Sequence, residues 1–196
     1  MSELDKSASI LKSSGVIIFP TDTVWGIGAL SSDHEAIKKL YHIKKRPMNQ
    51  PTAILVSGLD QAKKYAKFNS VADQLTHDYW PGELTVILPS IVNLPEEVVG
   101  EGRGVGLRAP DHEFTQQLCD RVGEGVVTSS ANFAGENSPQ SRGEINSELI
   151  SKVDYMVGEG ECGKKDPSSI IDLTHSTPYI VRHGSINLNK WIHNSR

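Results

Sequence analysis

Cysteine is scarce in this sequence. The 196 residues include only Cys119 and Cys162, which lie far apart and belong to no C-x-x-C or Cys/His pattern. Their spacing argues against a disulfide framework and predicts reduced thiols. None of the seven histidines has the spacing of a metal-ligand pair, so a structural zinc site is not expected either.

Long apolar runs and an excess of positive charge are absent as well. No run approaches the about 20 apolar residues that cross a bilayer, and the first residues lack the basic head and apolar stretch of a signal peptide. A formal net charge of -4 argues against general adhesion to nucleic acid and makes local basic clusters conspicuous. We therefore expect a cytoplasmic protein that does not associate with membranes.

The residues that are present favour one α/β domain. Apolar residues make up 37% of the chain, enough for one core, and short β-branched runs alternate with amphipathic segments. Strands are predicted at 16–19, 53–56, 84–88, 105–108, 126–129, 155–157, 169–173 and 179–182. Helices are predicted before Gly15 and at 60–66, 71–79, 112–119 and 144–151, with a short polar tail from residue 188.

A further helix is predicted between Ser32 and Pro47. Ser32-x-x-Glu35 has the pattern of a capping box, and the proline is expected to end the helix. Lys44 and Arg46, with a third cation between them, then fall in the last turn. Cations there complement the helix macrodipole, but they could equally neutralise a phosphate, and the residues alone leave both interpretations open.

Two polar loops follow predicted strands, the position at which open α/β sheets place ligands. Residues 20–28 include two threonines, a carboxylate and two glycines, and residues 128–132 include hydroxyls and an amide. Each stretch is either an ordinary turn or a set of hydrogen-bonding groups for a small polar ligand. Arg108, at the end of another predicted strand, has a similar ambiguity. Together with the cations, these groups suggest a polyphosphate or nucleic-acid site.

No common nucleotide or nucleophile motif accompanies these loops. The glycine-rich residues 100–106 lack the G-x-G-x-x-G spacing, so a dinucleotide-binding fold is not supported. A P-loop is absent, and no G-x-S-x-G surrounds the serines of residues 128–132.

Taken in order, seven segments resemble the YrdC-like family of L-threonylcarbamoyladenylate synthases. The segments are 19–28, 44–47, 80–85, 105–110, 129–132, 167–172 and 181–184. The resemblance implies one family domain over residues 3–187 and a tail at 188–196, as in the short family members. It also implies an open, twisted, mostly mixed β-sheet that is flanked by helices and has a concave, positively charged face.

The resemblance further implies a reaction. Family members combine L-threonine, bicarbonate or carbon dioxide, and ATP into threonylcarbamoyl-AMP and pyrophosphate. Partner proteins then transfer the threonylcarbamoyl group to the adenosine beside the anticodon of ANN-decoding tRNAs. Mg²⁺ is expected to be held by the triphosphate, because the matched segments contain no carboxylate cage. The expected partners are thus ATP, L-threonine, bicarbonate, tRNA and the transfer proteins.

The matched positions also carry over the family's site residues. The expected catalytic residues are Lys44, Arg46, Ser130 and Asn132. The expected ATP contacts are these four with Gln50, Ser138 and Arg182, and the expected threonine contacts are Thr23, Arg108, Thr128 and Ser168. The departures from the family pattern are Leu55, where some relatives have a threonine-contacting histidine, and Gln50, Glu83 and His183. We expect none of them to abolish activity.

Two other functions fit parts of the pattern. The family's concave face is also linked to double-stranded RNA, but the net charge of -4 and the lack of a basic stripe beyond residues 44–46 make RNA binding secondary. The other is a carbamoyl-adenylate enzyme like the related domain of hydrogenase-maturation carbamoyltransferases. Those proteins add acylphosphatase and zinc-finger modules, for which this chain has neither the length nor the cysteines.

Overall fold

A computed structural model describes residues 1–158, 160, 162–163 and 166–193 of the chain. The helices are α1 (Glu3–Lys12), α2 (His34–Lys44), α3 (Leu59–Ala62), α4 (Ser70–Tyr79), α5 (Glu113–Val122), α6 (Ser147–Ile150) and α7 (Asn189–His193). The strands are β1 (Ile17–Phe19), β2 (Gly26–Leu30), β3 (Ala53–Leu55), β4 (Leu84–Pro89), β5 (Gly104–Arg108), β6 (Val126–Ser130), β7 (Tyr155–Met156), β8 (Ser169–Asp172) and β9 (Tyr179–Arg182). Two 3₁₀ turns lie at Glu101–Arg103 and Arg142–Glu144.

These nine strands form one sheet in the order β7-β1-β2-β6-β3-β5-β4-β8-β9. The pairs β1–β7, β3–β5 and β4–β8 are parallel, and the other pairs are antiparallel. The expected α/β fold with a mixed, helix-flanked sheet is thereby confirmed. The order also pairs strands that are far apart in the sequence, since β6 lies between β2 and β3, and β8 lies beside β4.

Helices cover both faces of the sheet, which explains why its inner strands are apolar without alternation. Ile17 and Phe19 pack with residues of α1 and α5 on one face. Ile18, one position along, packs on the opposite face with Leu40 and Tyr41 of α2. Successive strand side chains point to opposite faces, so both faces must be apolar to form the two core clusters.

The predicted strands each match the structure to within one residue at either end, but β2 was missed. Its sequence is Gly-Ile-Gly-Ala-Leu, and glycine and alanine are poor strand formers. Tertiary packing accounts for the glycines. A Cβ at Gly28 would lie 2.8 Å from Val126 Cγ1 and 2.9 Å from Val127 O, so β6 approaches as closely as it does only because no side chain is there.

The predicted capping box at the start of α2 is wrong. Asp33, not Ser32, is the N-cap, and its carboxylate accepts a hydrogen bond from Ala36 N at 2.9 Å. Ser32 instead donates its hydroxyl hydrogen to Glu124, which also accepts from the Ser32 backbone N–H. Either residue type can cap a helix, so the choice depended on this tertiary contact.

The other helices were predicted with mixed accuracy. Both α3 and α6 are single turns, shorter than the predicted ranges 60–66 and 144–151. The segment predicted as a polar tail contains α7. Leu188 before it is fully buried, and Trp191 packs against the core. The beginning of this segment therefore contributes apolar side chains to the fold.

Candidate functional site

The Lys44-x-Arg46 spacing is produced by the way α2 ends. Lys45 adopts a left-handed conformation with φ of 52°, and its N–H bonds to His42 O. The N–H of Arg46 reaches back to Tyr41 O at 3.0 Å. These two bonds form a Schellman motif, which reverses the chain. Lys44 and Arg46 therefore lie on either side of this chain reversal, and their side chains contact different parts of the protein.

Lys44 is buried and binds the loop that follows β6. Its Nζ donates to Asn132 O at 2.6 Å and also to Ser130 O. In addition, Ala134 N donates to the backbone O of Lys44 at 3.0 Å. Burial, and then the nearby charge of Arg46, lower the pKa of Lys44 to about 7. Two of its three possible N–H donors are thus used to hold the loop, and one remains.

Asn132 uses its side chain inside the same loop. Both hydrogens of its Nδ2 are donated, one to Phe133 O at 2.9 Å and one to Glu136 O at 2.8 Å. A flipped amide would place Oδ1 against these two carbonyl oxygens, so the network determines the orientation. Asn132 Oδ1 is buried without a hydrogen-bond partner among the described residues. In this arrangement the side chain holds the loop and offers only an acceptor.

Arg46 is held by the turn that follows it. Its Nε donates to Gln50 O and its Nη2 to Pro51 O, both at 3.0 Å. The guanidinium lies 5.9 Å from the centre of the Tyr41 ring, and Tyr41 Oη lies 2.9 Å from Gln50 O. Three of the five guanidinium N–H groups remain for a ligand. Gln50 contributes its backbone oxygen to the orientation of Arg46.

Arg108 is buried at the end of β5 and is held from three directions. Its Nη2 lies 2.5 Å from Asp22 Oδ1, its Nη1 donates to Thr23 Oγ1 at 3.0 Å, and its Nε donates to Gly82 O at 3.0 Å. The other oxygen of Asp22 accepts from Asp111 N at 3.0 Å. The charge of Arg108 is therefore compensated within the protein, and two of its N–H groups remain.

Ser168, just before β8, and Arg182, at the end of β9, form an adjoining cluster. Arg182 donates from Nε to Ser168 O at 2.9 Å and from Nη2 to Ser168 Oγ at 3.1 Å. Thr85 Oγ1 lies 2.9 Å from Ser168 Oγ. Burial and the charge of Arg108 lower the pKa of Arg182. The two guanidiniums are thus close enough to influence each other, which joins this cluster to the Arg108 cluster.

Thr128 lies beside the loop that carries Thr23. A Cβ at Gly26 would lie 3.0 Å from Thr128 Cγ2 and 3.4 Å from Thr21 Cγ2, so the absent side chain of Gly26 leaves the two threonines as close neighbours. Thr128 Oγ1 donates to Val126 O at 2.9 Å. This packing places Thr128 beside Thr21, in the loop that also carries Thr23.

Trp25 joins the β1–β2 loop to the loop after β6. Its backbone O accepts from Ala131 N at 2.7 Å, and its N–H donates to Pro139 O at 2.9 Å. Half-buried Ser138 precedes Pro139 directly. The loop from Ala131 to Pro139 is therefore fixed at both ends to the segment that carries Thr23, and Ser138 lies at its end.

Three cations of the site have no opposite charge within 4.0 Å in the described part of the chain. They are Lys44, Arg46 and Arg182, whereas Arg108 is paired with Asp22. Lys44 is buried, Arg46 is half-buried and Arg182 is exposed. Cations that lack a partner favour a polyanionic ligand, because the ligand supplies the missing charge. No group of three or more metal-ligating His, Cys, Asp or Glu side chains occurs among the described residues.

Sequence reasoning missed the residues that support these groups. Asp22 and Thr21 lie in the polar loop that was singled out, yet neither was assigned a role, and Thr85 lies in a matched segment. Their position inside those segments was the only feature of the sequence that could have indicated a supporting role. Leu55 is buried in the apolar core with Val126. Helices long and apolar enough to span a membrane do not occur in the described residues.

The chain is similar to known proteins over most of its length. The sequence profile of the family Sua5_yciO_yrdC, described as telomere recombination, matches residues 9–184. A threonylcarbamoyl-AMP synthase of Xanthomonas campestris is 32% identical over 173 residues, which are 87% of this chain and 92% of that protein.

Two solved structures resemble the fold closely. Sua5 of Pyrococcus abyssi, crystallised in complex with L-threonine, matches with a TM-score of 0.89 and 30% identity over 95% of this chain. This chain spans only 55% of that longer protein. YciO of Escherichia coli matches with a TM-score of 0.86 and 27% identity, over 96% of this chain and 92% of that one.

Proposed function

We propose that this chain, which belongs to the Sua5/YciO/YrdC family, joins L-threonine, bicarbonate or carbon dioxide, and ATP into L-threonylcarbamoyl-AMP with release of pyrophosphate. The observation that carries the proposal is the junction of two clusters. Among the described residues, no carboxylate pairs with Lys44, Arg46 or Arg182. Arg182 lies close to Arg108, which donates to Thr23. A polyanion and a small zwitterion can therefore bind side by side.

The reaction needs little covalent work from the protein. The amine of threonine forms a bond to the carbon of carbon dioxide and loses a proton, which gives a carbamate. A carbamate oxygen then forms a bond to the α-phosphorus of ATP, while the bond to the departing pyrophosphate breaks. Positioning the reactants and stabilising charge on the phosphates carry such a displacement.

The nucleotide half of the site supplies charge and a fixed loop. Arg46 has N–H groups left for a bidentate phosphate contact, and Lys44 has one donor left beside the loop that it holds. Ser130, Ser138, Gln50 and Arg182 complete the proposed ATP contacts. Mg²⁺ enters as part of the substrate Mg-ATP, since the described residues offer no cluster of three metal-ligating side chains.

The amino-acid half of the site uses Thr23, Arg108, Thr128 and Ser168. Arg108 retains two N–H groups after its three internal contacts, and these can bind a carboxylate as a fork. Because Asp22 compensates Arg108, a threonine zwitterion can bind without adding net charge to a buried site.

The reactive product needs partner proteins that transfer it to tRNA. A mixed anhydride of a carbamate and AMP reacts with water, so we propose transfer in the cytoplasm to ANN-decoding tRNA through separate transfer proteins. We propose residues 3–187 as the domain that makes the intermediate. Contact with tRNA is expected to be weak, given the net charge of -4, and a binding titration across a salt series measures it.

Pyrophosphate release by the purified protein tests the proposed reaction. Release should require ATP, L-threonine and bicarbonate together, and mass spectrometry should detect threonylcarbamoyl-AMP. L-serine should be disfavoured by a factor of about 10 to 200, the range that one methyl contact allows. Release at the same rate without threonine and bicarbonate would make the chain an ATP pyrophosphatase and refute the proposal.

A further inference from the structure

A directed chain of hydrogen bonds runs through the β1–β2 loop. Thr21 Oγ1 lies 2.7 Å from Val24 O. A carbonyl oxygen can only accept, so the single hydroxyl hydrogen of Thr21 is donated to Val24. Thr21 Oγ1 therefore acts as an acceptor towards every other group, including Thr23 N at 3.2 Å.

This assignment determines the direction of the next bond. Thr23 Oγ1 lies 3.2 Å from Thr21 Oγ1, and Thr21 has no hydrogen left, so Thr23 is the donor in this pair. Arg108 Nη1 lies 3.0 Å from Thr23 Oγ1 and can only donate. The Thr23 hydroxyl has thus used its hydrogen and one lone pair, and it retains a single acceptor site.

The surroundings prevent the chain of bonds from reversing. Thr21 and Thr23 are 4% and 2% exposed, so water cannot readily replace the bonds between them. Asp22, between the two threonines, holds Arg108 Nη2 at 2.5 Å and keeps the guanidinium in place. A buried hydroxyl that is held in this way is polarised in one direction.

We propose that Thr21 is a positioning residue that makes the Thr23 hydroxyl an acceptor for the α-amino group of the amino-acid substrate. This inference rests on the proposed function. A carboxylate cannot donate to Thr23, whereas an amine can. Thr23 adjoins Arg108, and in an amino acid the α-amine is the donor nearest to a carboxylate bound there, with the β-hydroxyl one carbon farther away. The bond orients the nucleophile that attacks carbon dioxide.

Two analogues of L-threonine test which group Thr23 contacts. 3-Hydroxybutyrate lacks the amine, and L-2-aminobutyrate lacks the hydroxyl. Dissociation constants are measured by calorimetry with a non-hydrolysable ATP analogue, and weak ligands are measured by displacement of L-threonine. In Thr23→Val and Thr21→Val, L-threonine and L-2-aminobutyrate should bind about tenfold more weakly, the effect of one lost hydrogen bond. Binding of 3-hydroxybutyrate should not change, and Thr23→Ser should bind all three ligands as the unaltered protein does.

Thr115→Val is the matched control. Thr115 is fully buried and donates to Pro20 O at 2.9 Å, so it supports the same loop from the other side. The control should leave all three dissociation constants unchanged. An equal loss for 3-hydroxybutyrate in Thr23→Val, or the same pattern in Thr115→Val, would overturn the inference. If the unaltered protein itself did not bind L-threonine, that result would instead refute the proposed function.

Discussion

At the scale of single residues, Lys44 and Arg46 have different tasks although only one residue separates them. Lys44 points into the protein and holds the backbone of Ser130 and Asn132. Arg46 lies beyond the Schellman turn and is oriented by Gln50 O and Pro51 O. The sequence predicted both residues from their charge and from the family resemblance. It did not predict the partners of Lys44, because these lie in a loop some eighty residues further along the chain.

Arg46→Lys distinguishes a phosphate ligand from a favourable helix end. Lysine complements the helix dipole equally well but cannot reproduce the planar fork of arginine. We expect turnover in the pyrophosphate assay to fall at least tenfold, about 1.4 kcal/mol in activation free energy, with little change in melting temperature. Lys45→Ala is the control, since Lys45 Nζ contacts Glu148 at 3.5 Å and its side chain is 60% exposed. Full activity in Arg46→Lys combined with loss in Lys45→Ala would contradict the assignment.

Lys44 should couple ATP binding to proton uptake. Its pKa of about 7 leaves the amine mostly neutral at pH 8, and bound phosphates favour the charged form. Calorimetry of ATP binding in buffers of different ionisation enthalpy should show uptake approaching one proton at pH 8 and little at pH 6. Lys44→Met should abolish the difference between the two pH values. Proton uptake that persists in this variant would assign the effect to another group.

The same pKa has a consequence for stability. The pKa of Lys44 in the folded protein, about 7, lies below its ordinary value of 10.5. Between these values the unfolded chain binds more protons than the folded one, so the contribution of Lys44 makes the free energy of unfolding rise with pH. Below about pH 7 both states are protonated, and this dependence disappears. Urea titrations of the unaltered protein and of Lys44→Met at pH 6 and 9 measure the difference.

At the scale of elements, the local sequence pattern was sufficient to predict a strand or helix wherever the side chains of that element alone determine its structure. The continuous apolar run Ile17–Phe19 predicts a buried strand, and the amphipathic repeat of α2 predicts a helix. By contrast, β2 is a strand because its neighbours β1 and β6 pair with it. Its glycines permit that approach but resemble a turn when the sequence is considered alone.

Gly28→Ala tests whether close packing explains the glycine in β2. The added Cβ would meet Val127 O at 2.9 Å, and a backbone atom cannot move aside easily. We expect the free energy of unfolding to fall by about 1–3 kcal/mol, as for other overpacked sites, measured by urea titration. Gly143→Ala should change it by less than about 0.5 kcal/mol, because no atom lies within 4 Å of a Cβ there. Equal stability of the two variants would count against the packing argument.

At the scale of the whole molecule, the site is assembled from segments that no local pattern connects. The resemblance predicts that Thr23, Arg108 and Ser168 belong to one site, and in the structure a hydrogen bond joins Arg108 to Thr23. What the sequence could not provide is which donor meets which acceptor. Asp22 compensates Arg108 across the fold, and no spacing rule relates a residue in the β1–β2 loop to one at the end of β5.

Leu188→Ala tests whether the last segment belongs to the folded domain. Leu188 is fully buried and belongs to the main core cluster. Truncation of such a leucine should lower the free energy of unfolding by about 2–5 kcal/mol, since it removes apolar contact and leaves a cavity. Ile91→Ala is the control because Ile91 is 57% exposed. A loss no larger than that of the control would show that the segment contributes nothing to the core.

The strand order also determines when the site can exist during synthesis. Arg182 ends β9, Ser168 directly precedes β8, and β8 pairs with β4, which is synthesised much earlier. A nascent chain that has not yet released β8 and β9 from the ribosome already contains Lys44, Arg46 and Arg108 but lacks one wall of the site. Fragments that end before β8 should therefore leave ATP free in solution. Nucleotide can stabilise the finished protein, but it cannot guide the early steps of folding.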